Sequence, residues 1–188
     1  MGHLRAYYER IVRLQPSEWE FIASHFTRKV FQKNELITRQ GETEQFLSFI
    51  EAGIVRFFIP GDEHELTFQF CFDKQFTCAY DSFLTQTPSA YALQALTQTI
   101  VWRISYDDLQ KVYAATNAGN LLGRFAAEKL FLEKSKRALS LLQYNAKERY
   151  LQLINEQPEI LQKIPLKYVA SYIGITPQAL SRIRRQIS

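Results

Sequence analysis

The alternation of hydrophobic and polar positions changes its period twice along the chain. Residues 4–26 have helical spacing, with a helix start predicted at Ser17 and Glu20, which form a capping-box pattern. In residues 30–104, short β-rich runs alternate with turn signals, as in an antiparallel roll or barrel. Beyond residue 105 the helical period returns. The sequence therefore predicts a β domain between helical segments.

Within the β region, a hairpin is predicted around the turn signal Pro60-Gly61-Asp62, between residues 53–60 and 65–72. A last pair of strands is expected at residues 92–95 and 100–102. Apolar side chains alternate strictly in the second half of the hairpin, a period that places one side of a strand in a core. These side chains are Leu66, Phe68, Phe70 and Phe72.

The longest helical stretch, residues 119–144, carries an apolar seam that indicates pairing with a second copy of the chain. Three of its members recur at seven-residue spacing, as in a coiled coil. Polar side chains at Glu128 and Ser135 interrupt the seam, so packing against the β domain is the alternative. The predicted seam residues are Leu122, Phe125, Leu132, Leu139 and Leu142.

Two helices joined by a tight turn are predicted near the C-terminus. Ala170 is small where two helices approach, and Gly174 suits a turn with left-handed backbone. Thr176 followed by Pro177 is a strong helix start. The helix that follows has an apolar side, which is expected to pack inward and consists of Leu180, Ile183 and Ile187.

The opposite side of this last helix carries Gln178, Arg182 and Arg185, with Ser181 beside them, and these side chains suit DNA. Gln178 and Arg182 can make bidentate hydrogen bonds to adenine and guanine edges, while hydroxyls, Arg184 and the helix N-terminus suit phosphates. An ordinary helical hairpin is the alternative. The predicted DNA-contacting residues are Thr176, Pro177, Gln178, Ser181, Arg182, Arg184 and Arg185.

The charge distribution agrees with an anionic partner such as nucleic acid. The net charge of the chain is +4, and no acidic residue follows Glu159. When the lysines and arginines of that last segment are left out, the chain has 18 basic against 19 acidic residues, so the part before the segment is nearly neutral. A solvated basic tail is the alternative. The bases are Lys163, Lys167, Arg182, Arg184 and Arg185.

Several classes of protein are disfavoured by what the sequence lacks. Cys71 and Cys78 match no zinc or redox motif, and scattered His3, His25 and His64 are expected at the surface rather than on haem or a metal. No phosphate loop, nucleophile motif or carboxylate pair indicates an enzyme. With neither a signal peptide nor an apolar run of membrane-spanning length, a cytoplasmic protein without a membrane partner is expected.

The segment Ala-Ser-Tyr-Ile-Gly-Ile-Thr-Pro-Gln-Ala-Leu-Ser-Arg-Ile-Arg, residues 170–184, resembles the recognition signature of the Crp/Fnr superfamily. Residues 34–42 and 49–53 resemble the opening strands of its cyclic-nucleotide-binding roll. The resemblance implies an α+β fold and a homodimer on a two-fold symmetric operator. It also implies that Gln178 and Arg182 face bases, with Thr176 and Ser181 facing phosphates. The implied parts are a jelly-roll effector domain (residues 1–116), a dimerisation helix (117–144) and a winged-helix-like helix-turn-helix (145–188) without a strand pair after its second helix.

The phosphate-binding cassette departs from the family's nucleotide binders. Cys78-Ala79 stand where those proteins have Gly-Glu, and Pro88 stands where they have Arg. Losing both partners costs a buried phosphate several kcal/mol, so cyclic AMP is not the expected effector. Another ligand, apolar in character, or no ligand at all remain the alternatives, and no cofactor is expected. The candidate pocket residues are Phe76, Cys78, Ala79, Tyr80, Ser89, Ala90 and Tyr91.

The leading hypothesis is a DNA-binding transcription regulator that recruits or obstructs RNA polymerase. A ligand or partner at the β roll would shift the long helix and re-space two recognition helices to about 34 Å, one turn of DNA. The alternative is a ligand-sensing β module that regulates a protein partner, with the C-terminal helices as a docking element.

Overall fold

A computed structural model describes residues 1–62 and 64–187, and in this part of the chain eight strands and nine helices form. The strands are β1 (Thr27–Phe31), β2 (Leu36–Thr38), β3 (Phe46–Ala52), β4 (Val55–Ile59), β5 (Leu66–Cys71), β6 (Phe76–Thr77), β7 (Ala92–Ala95) and β8 (Thr99–Ser105). The helices are α1 (Gly2–Glu9), α2 (Pro16–Ser24), α3 (Tyr80–Thr85), α4 (Tyr106–Ala115), α5 (Asn117–Gln143), α6 (Ala146–Glu156), α7 (Pro158–Lys163), α8 (Leu166–Ile173) and α9 (Pro177–Ile187).

The strands form two four-stranded sheets, ordered β1-β8-β3-β6 and β2-β7-β4-β5. Antiparallel pairing of β8 with β1 and β3, and of β7 with β2, confirms the predicted α+β class with antiparallel sheets. The predicted pairing of the last two strands with each other is wrong. The connection between them changes sheets, because the Leu96 amide bonds to Ile54 O at 2.8 Å instead of continuing a hairpin.

A fully buried apolar core holds the roll together. Phe49, Leu93 and Val101, from three different strands, have no solvent exposure. Leu4 of α1 and Ile22 of α2 are also buried and belong to one core cluster with Phe49, so the N-terminal helices pack against the roll. Burying each such side chain contributes about 1.5–3 kcal/mol relative to leaving it exposed.

The start of α2 corrects the predicted capping box. The helix begins at Pro16, and the Gln15 amide donates to Glu18 Oε2 at 3.1 Å. The cap is therefore at Gln15 rather than at Ser17 with Glu20. Proline is favoured at the first helical position, where its missing N–H costs nothing, so the cap lies two residues earlier than predicted.

The predicted hairpin is confirmed by the adjacent strands β4 and β5, but its end departs from strict alternation. Phe70 is buried as expected, whereas Leu66 is half exposed and Thr67 is buried. The Thr67 amide donates to Ser171 Oγ at 2.8 Å, and Ser171 Oγ donates to Glu65 O at 2.9 Å. Contact with α8 therefore overrides the alternation at this end of β5.

The chain divides into two compact units. One unit comprises Met1–Phe57 and Phe70–Lys129, and the other comprises Phe58–Gln69 with the residues from Leu130 onward. Helix α5 contributes to both units because it runs without interruption across residues 129 and 130. None of the helices formed by the described residues combines the length and apolar character that a bilayer crossing requires.

The second unit is helical apart from the end of the hairpin. Its α6 begins at the predicted cap, where the Asn145 amide donates to Glu148 Oε2 at 2.8 Å and Asn145 Oδ1 accepts from the Glu148 amide at 3.1 Å. A short α7, which the sequence analysis did not predict, follows Gln157. Among the described residues no strand lies beyond β8, so a wing is not part of this described region.

Candidate nucleic-acid interface

Helix α8 ends in a tight turn that leads directly into α9. Val169, Ala170 and Ile173 have no exposed surface, so α8 is anchored on one side. Gly174 adopts φ +80°, the left-handed region that glycine enters without strain. The Ile175 amide closes the turn by donating to Ala170 O at 3.0 Å, which is the Schellman pattern.

Helix α9 starts and packs as its sequence predicts. Thr176 Oγ1 accepts from the Ala179 amide at 3.2 Å, which satisfies one of the free amides at the helix N-terminus. Leu180 is 1% exposed, and Ile183 and Ile187 are half buried. The apolar side of α9 therefore turns inward.

The predicted DNA-contacting side chains are all exposed, as a DNA interface requires. Thr176 and Pro177 lie at the start of α9, and the helix itself contains no acidic residue. Contact with DNA remains a prediction for every one of them. We call the side of α9 opposite Leu180 the recognition face; its residues are Gln178, Ser181, Arg182 and Arg185, and Arg184 is exposed at the flank of the apolar side.

The two hydroxyl groups proposed to meet phosphates are not equivalent. Ser181 Oγ donates to Pro177 O at 3.0 Å, so its hydrogen is already used within the helix. Thr176 Oγ1 acts as an acceptor for the cap, which leaves its own O–H free to donate. Thr176 is therefore the better phosphate donor, whereas Ser181 must first break its bond to the backbone.

Two arginines outside α8 and α9 reach the turn between them. Arg137 of α5 donates to Tyr172 O, and its guanidinium lies 4.0 Å from the centre of the Tyr172 ring. Arg149 of α6 donates through Nε to Ile173 O at 3.0 Å and also to Tyr144 O. Burial lowers the pKa of Arg137; Tyr172 counteracts this, and the like charge of Arg149 adds to it. Neither arginine was predicted from the sequence, because their partners at this turn are backbone carbonyls about 25 to 35 residues away.

The seam of α5 is exposed, with one correction. Leu122 is 7% exposed and packs in the core of its own chain, so it cannot meet a partner. Leu121, four residues before Phe125, is exposed instead, and that four-residue spacing is the signal that the sequence analysis missed. Glu128, on the same side, lies 3.6 Å from Arg124. The exposed seam comprises Leu121, Phe125, Leu132, Leu139 and Leu142.

The candidate pocket residues differ in their surroundings, and whether they line one ligand site stays a prediction. Phe76 packs against Tyr8 and Phe49, and Tyr80 stacks on Phe83, so these aromatic rings belong to the core. The remaining candidates differ in exposure. Cys78, Ala79 and Ser89 are buried, Tyr91 is half buried and Ala90 is exposed.

A buried carboxyl group, absent from the sequence-based candidates, holds the cassette in place. Glu44 is 6% exposed, and its Oε2 accepts from Thr38 Oγ1 at 2.5 Å and from the Ala79 amide at 3.3 Å. Its own amide donates to Ser82 Oγ at 3.0 Å, and Ser82 Oγ donates to Thr87 O at 2.5 Å. The polar groups at the start of the cassette are thus bonded within the chain.

The electrostatics of this region oppose a phosphate. Residues 76–91 contain no lysine or arginine, and Tyr91 donates to Asp81 Oδ1 at 2.5 Å. Burial raises the pKa of the Cys78 thiol, and the nearby carboxyl groups of Glu44 and Asp81 raise it further. Burial and the Asp81 hydrogen bond likewise raise the pKa of Tyr91. The region favours neutral groups over additional negative charge.

Another buried polar group of the roll is Arg56 of β4, which is 1% exposed. It donates to Gln94 Oε1 of β7 at 2.8 Å, and Gln94 donates to Asn34 O at 3.1 Å. The first bond joins the neighbouring strands β4 and β7, and the second ties β7 to the turn before β2. Arg56 was not predicted as a buried polar group, because it lies in an otherwise apolar run.

Residues 28–116 match the cyclic nucleotide-binding domain family, a little less than half of the chain. The fold resembles that of a putative Crp/Fnr-family transcriptional regulator from Eubacterium rectale, with TM-score 0.73 and 15% identity over 100% of this chain and 88% of that one. FixK2 from Bradyrhizobium japonicum has a TM-score of 0.69 and 19% identity, over 86% of this chain and 84% of that one. The catabolite activator protein of Thermus thermophilus has a TM-score of 0.58 and 18% identity, over 96% of this chain and 86% of that one. No curated protein matches the sequence. The likeness in fold confirms the predicted resemblance to Crp/Fnr proteins.

Proposed function

We propose that this chain, Crp/Fnr-like in its fold, is a DNA-binding transcription regulator and not an enzyme. The observation that carries the proposal is the two-sided character of α9. Leu180 anchors one side in the protein, while Gln178 and Arg182 point outward with no acidic residue on the helix. A helix that packs on the protein through one side and exposes glutamine and arginine on the other fits the DNA major groove.

Individual residues of α9 have distinct tasks in this proposal. Gln178 and Arg182 read base edges, because their side chains can make paired hydrogen bonds there. Thr176, Arg184 and Arg185 bind phosphates, which fixes the register of the helix on the duplex but adds little sequence preference. Base readout and backbone attraction can therefore be separated by mutation.

A homodimer supplies the two recognition helices that a two-fold symmetric operator needs. The exposed seam of α5 repeats Phe125, Leu132 and Leu139 at seven-residue spacing, and a two-fold dimer places such a seam against itself. The dimer then sets the separation of the two copies of α9, which must be about 34 Å to reach successive major grooves. Bound there, the protein recruits or obstructs RNA polymerase.

Cyclic AMP is not the effector in this proposal. The cassette has no lysine or arginine to neutralise a phosphate, and the Glu44 carboxyl group already accepts a hydrogen bond from the Ala79 amide. A phosphate placed there would meet negative charge in a buried setting, which costs several kcal/mol. Either a neutral ligand acts at the roll or the regulator needs none.

The proposal is tested by selecting preferred sequences from random duplex DNA and measuring affinity for the selected duplex. Binding is expected to weaken steeply as salt rises. Arg182→Ala should lower the preference for the selected duplex by about 1–3 kcal/mol, whereas Arg184→Ala should lower affinity for all duplexes alike. Lys33→Ala, which removes an exposed charge from the roll, is the matched control and should change neither.

The contrary result is a wild-type protein that prefers no duplex even at low salt. Binding to a protein partner that persists at high salt and requires the surface of the roll would support a sensing module instead. Either outcome would remove the role assigned to α9.

A further inference from the structure

We infer that Arg137 and Arg149 are positioning residues for α9: they hold the end of α8 and so fix the direction of the recognition face. Neither side chain belongs to that face. The inference rests on the proposed function, because a direction matters only if α9 meets a target. We call the two guanidinium groups, with the carbonyls of Tyr172 and Ile173, the arginine clamp.

The backbone at the end of α8 shows why a clamp is needed. A helix leaves its last four carbonyl groups without partners inside the helix, here those of residues 170–173. The amides of Gly174 and Ile175 satisfy the carbonyls of Ala170 and Ser171. The remaining two accept from the arginines, so the clamp completes the end of the helix.

Arg137 brings more than a hydrogen bond to this site. Its guanidinium donates to Tyr172 O and stacks on the Tyr172 ring, so two different contacts fix its plane. Positive charge at the C-terminus of a helix is favourable, because the free carbonyls carry partial negative charge. Lysine could supply the charge, but it lacks the planar fork that stacks and donates together.

The clamp also connects the end of α8 to the helix that carries the seam. Arg137 and Leu139 are two positions apart on α5, so they project from nearly opposite sides of that helix. Arg149 donates to Tyr144 O just beyond α5 as well as to Ile173 O. A rotation or shift of this part of α5 must therefore move the turn that starts α9.

The first test requires no DNA and compares three variants by hydrogen exchange. Arg137→Met removes the charge and the fork, and Arg137→Lys keeps the charge. Lys136→Met removes the neighbouring charge, which pairs with Glu156 at 2.7 Å and, among the described residues, makes no hydrogen bond to the end of α8. The amides of Gly174 and Ile175 should exchange about tenfold faster or more in Arg137→Met, and less so in Arg137→Lys. Unchanged exchange in both Arg137 variants would overturn the clamp.

The second test uses a duplex that the wild-type protein prefers. In Arg137→Met, the ratio of specific to non-specific affinity should fall by about tenfold or more, while the salt dependence of binding stays unchanged. A ratio equal to that of Lys136→Met would overturn the positioning role. So would a salt slope reduced by about one, because Arg137 would then contact a phosphate directly. If the wild-type protein prefers no duplex, the proposed function fails, while the exchange rates still decide whether the clamp holds the turn.

Discussion

At the scale of single residues, local chemistry was readable from the sequence where a residue acts on its own neighbours. Gly174 and Thr176 were predicted because a left-handed turn and a helix cap each need a particular residue type. Glu44 and Arg137 were not, because they meet the Ala79 amide and the Tyr172 carbonyl only after folding. The sequence likewise revealed that the cassette lacks Gly-Glu and Arg. It could not reveal that Glu44 hydrogen-bonds to the cassette.

The hydrogen bonds of Glu44 lead to a prediction about cyclic AMP. About 1 mM cyclic AMP should leave the unfolding temperature unchanged, measured by scanning calorimetry, because the cassette offers a carboxyl group where a phosphate needs a base. A ligand present at a hundredfold excess over its Kd would add about 2.7 kcal/mol of stability. A dose-dependent rise with cyclic AMP, absent with AMP, would contradict the prediction.

At the scale of elements, helices with strong start and stop signals were predicted better than strand partners. The starts of α6 and α9 agree with their capping residues, because such signals are contained in four or five adjacent positions. The separation of β7 and β8 into different sheets depends on pairing with distant strands. Local β propensity carries no information about which strand a partner will be.

The turn between α8 and α9 provides the prediction for this scale. Gly174→Ala should lower the free energy of unfolding by about 1–2 kcal/mol, because the φ of +80° strains a residue that has a Cβ. The added atom itself would have room, since its nearest neighbour is Arg149, 3.6 Å away. Urea unfolding monitored by circular dichroism measures the loss.

Gly174→Asn is the matched control for that measurement, since asparagine tolerates the left-handed region better than alanine. It should lose less stability than Gly174→Ala. Equal losses in the two variants would mean that crowding, and not backbone strain, determines the residue at the turn.

At the scale of the whole molecule, the seam of α5 was predicted in outline but misplaced at one end. Periodicity alone assigned Leu122 to the seam, whereas folding buries it and exposes Leu121. A seven-residue repeat identifies a stripe along a helix, but where the helix docks on its own core decides which edge of the stripe remains available. Which residues are available to a second chain accordingly depends on what the fold leaves uncovered.

A pair of leucines on α5 tests the proposed homodimer. Leu139 and Leu141 are 51% and 48% exposed, but they lie on nearly opposite sides of the helix. Leu139→Lys should weaken self-association by about tenfold or more, because it places like charges at a buried contact. Leu141→Lys should remain dimeric. Sedimentation equilibrium distinguishes them, and an equal effect of the two substitutions would argue against the seam.

The hairpin end that belongs with the C-terminal helices has a consequence for dissecting the protein. The structural unit that contains α8 and α9 also includes Phe58–Gln69, a segment that lies far before Leu130 in the sequence. A fragment that begins at residue 130 would lack the backbone groups of Glu65 and Thr67 that bond to Ser171. No single cleavage point separates the two halves cleanly, so a truncated C-terminal piece would be an incomplete substitute for the intact chain.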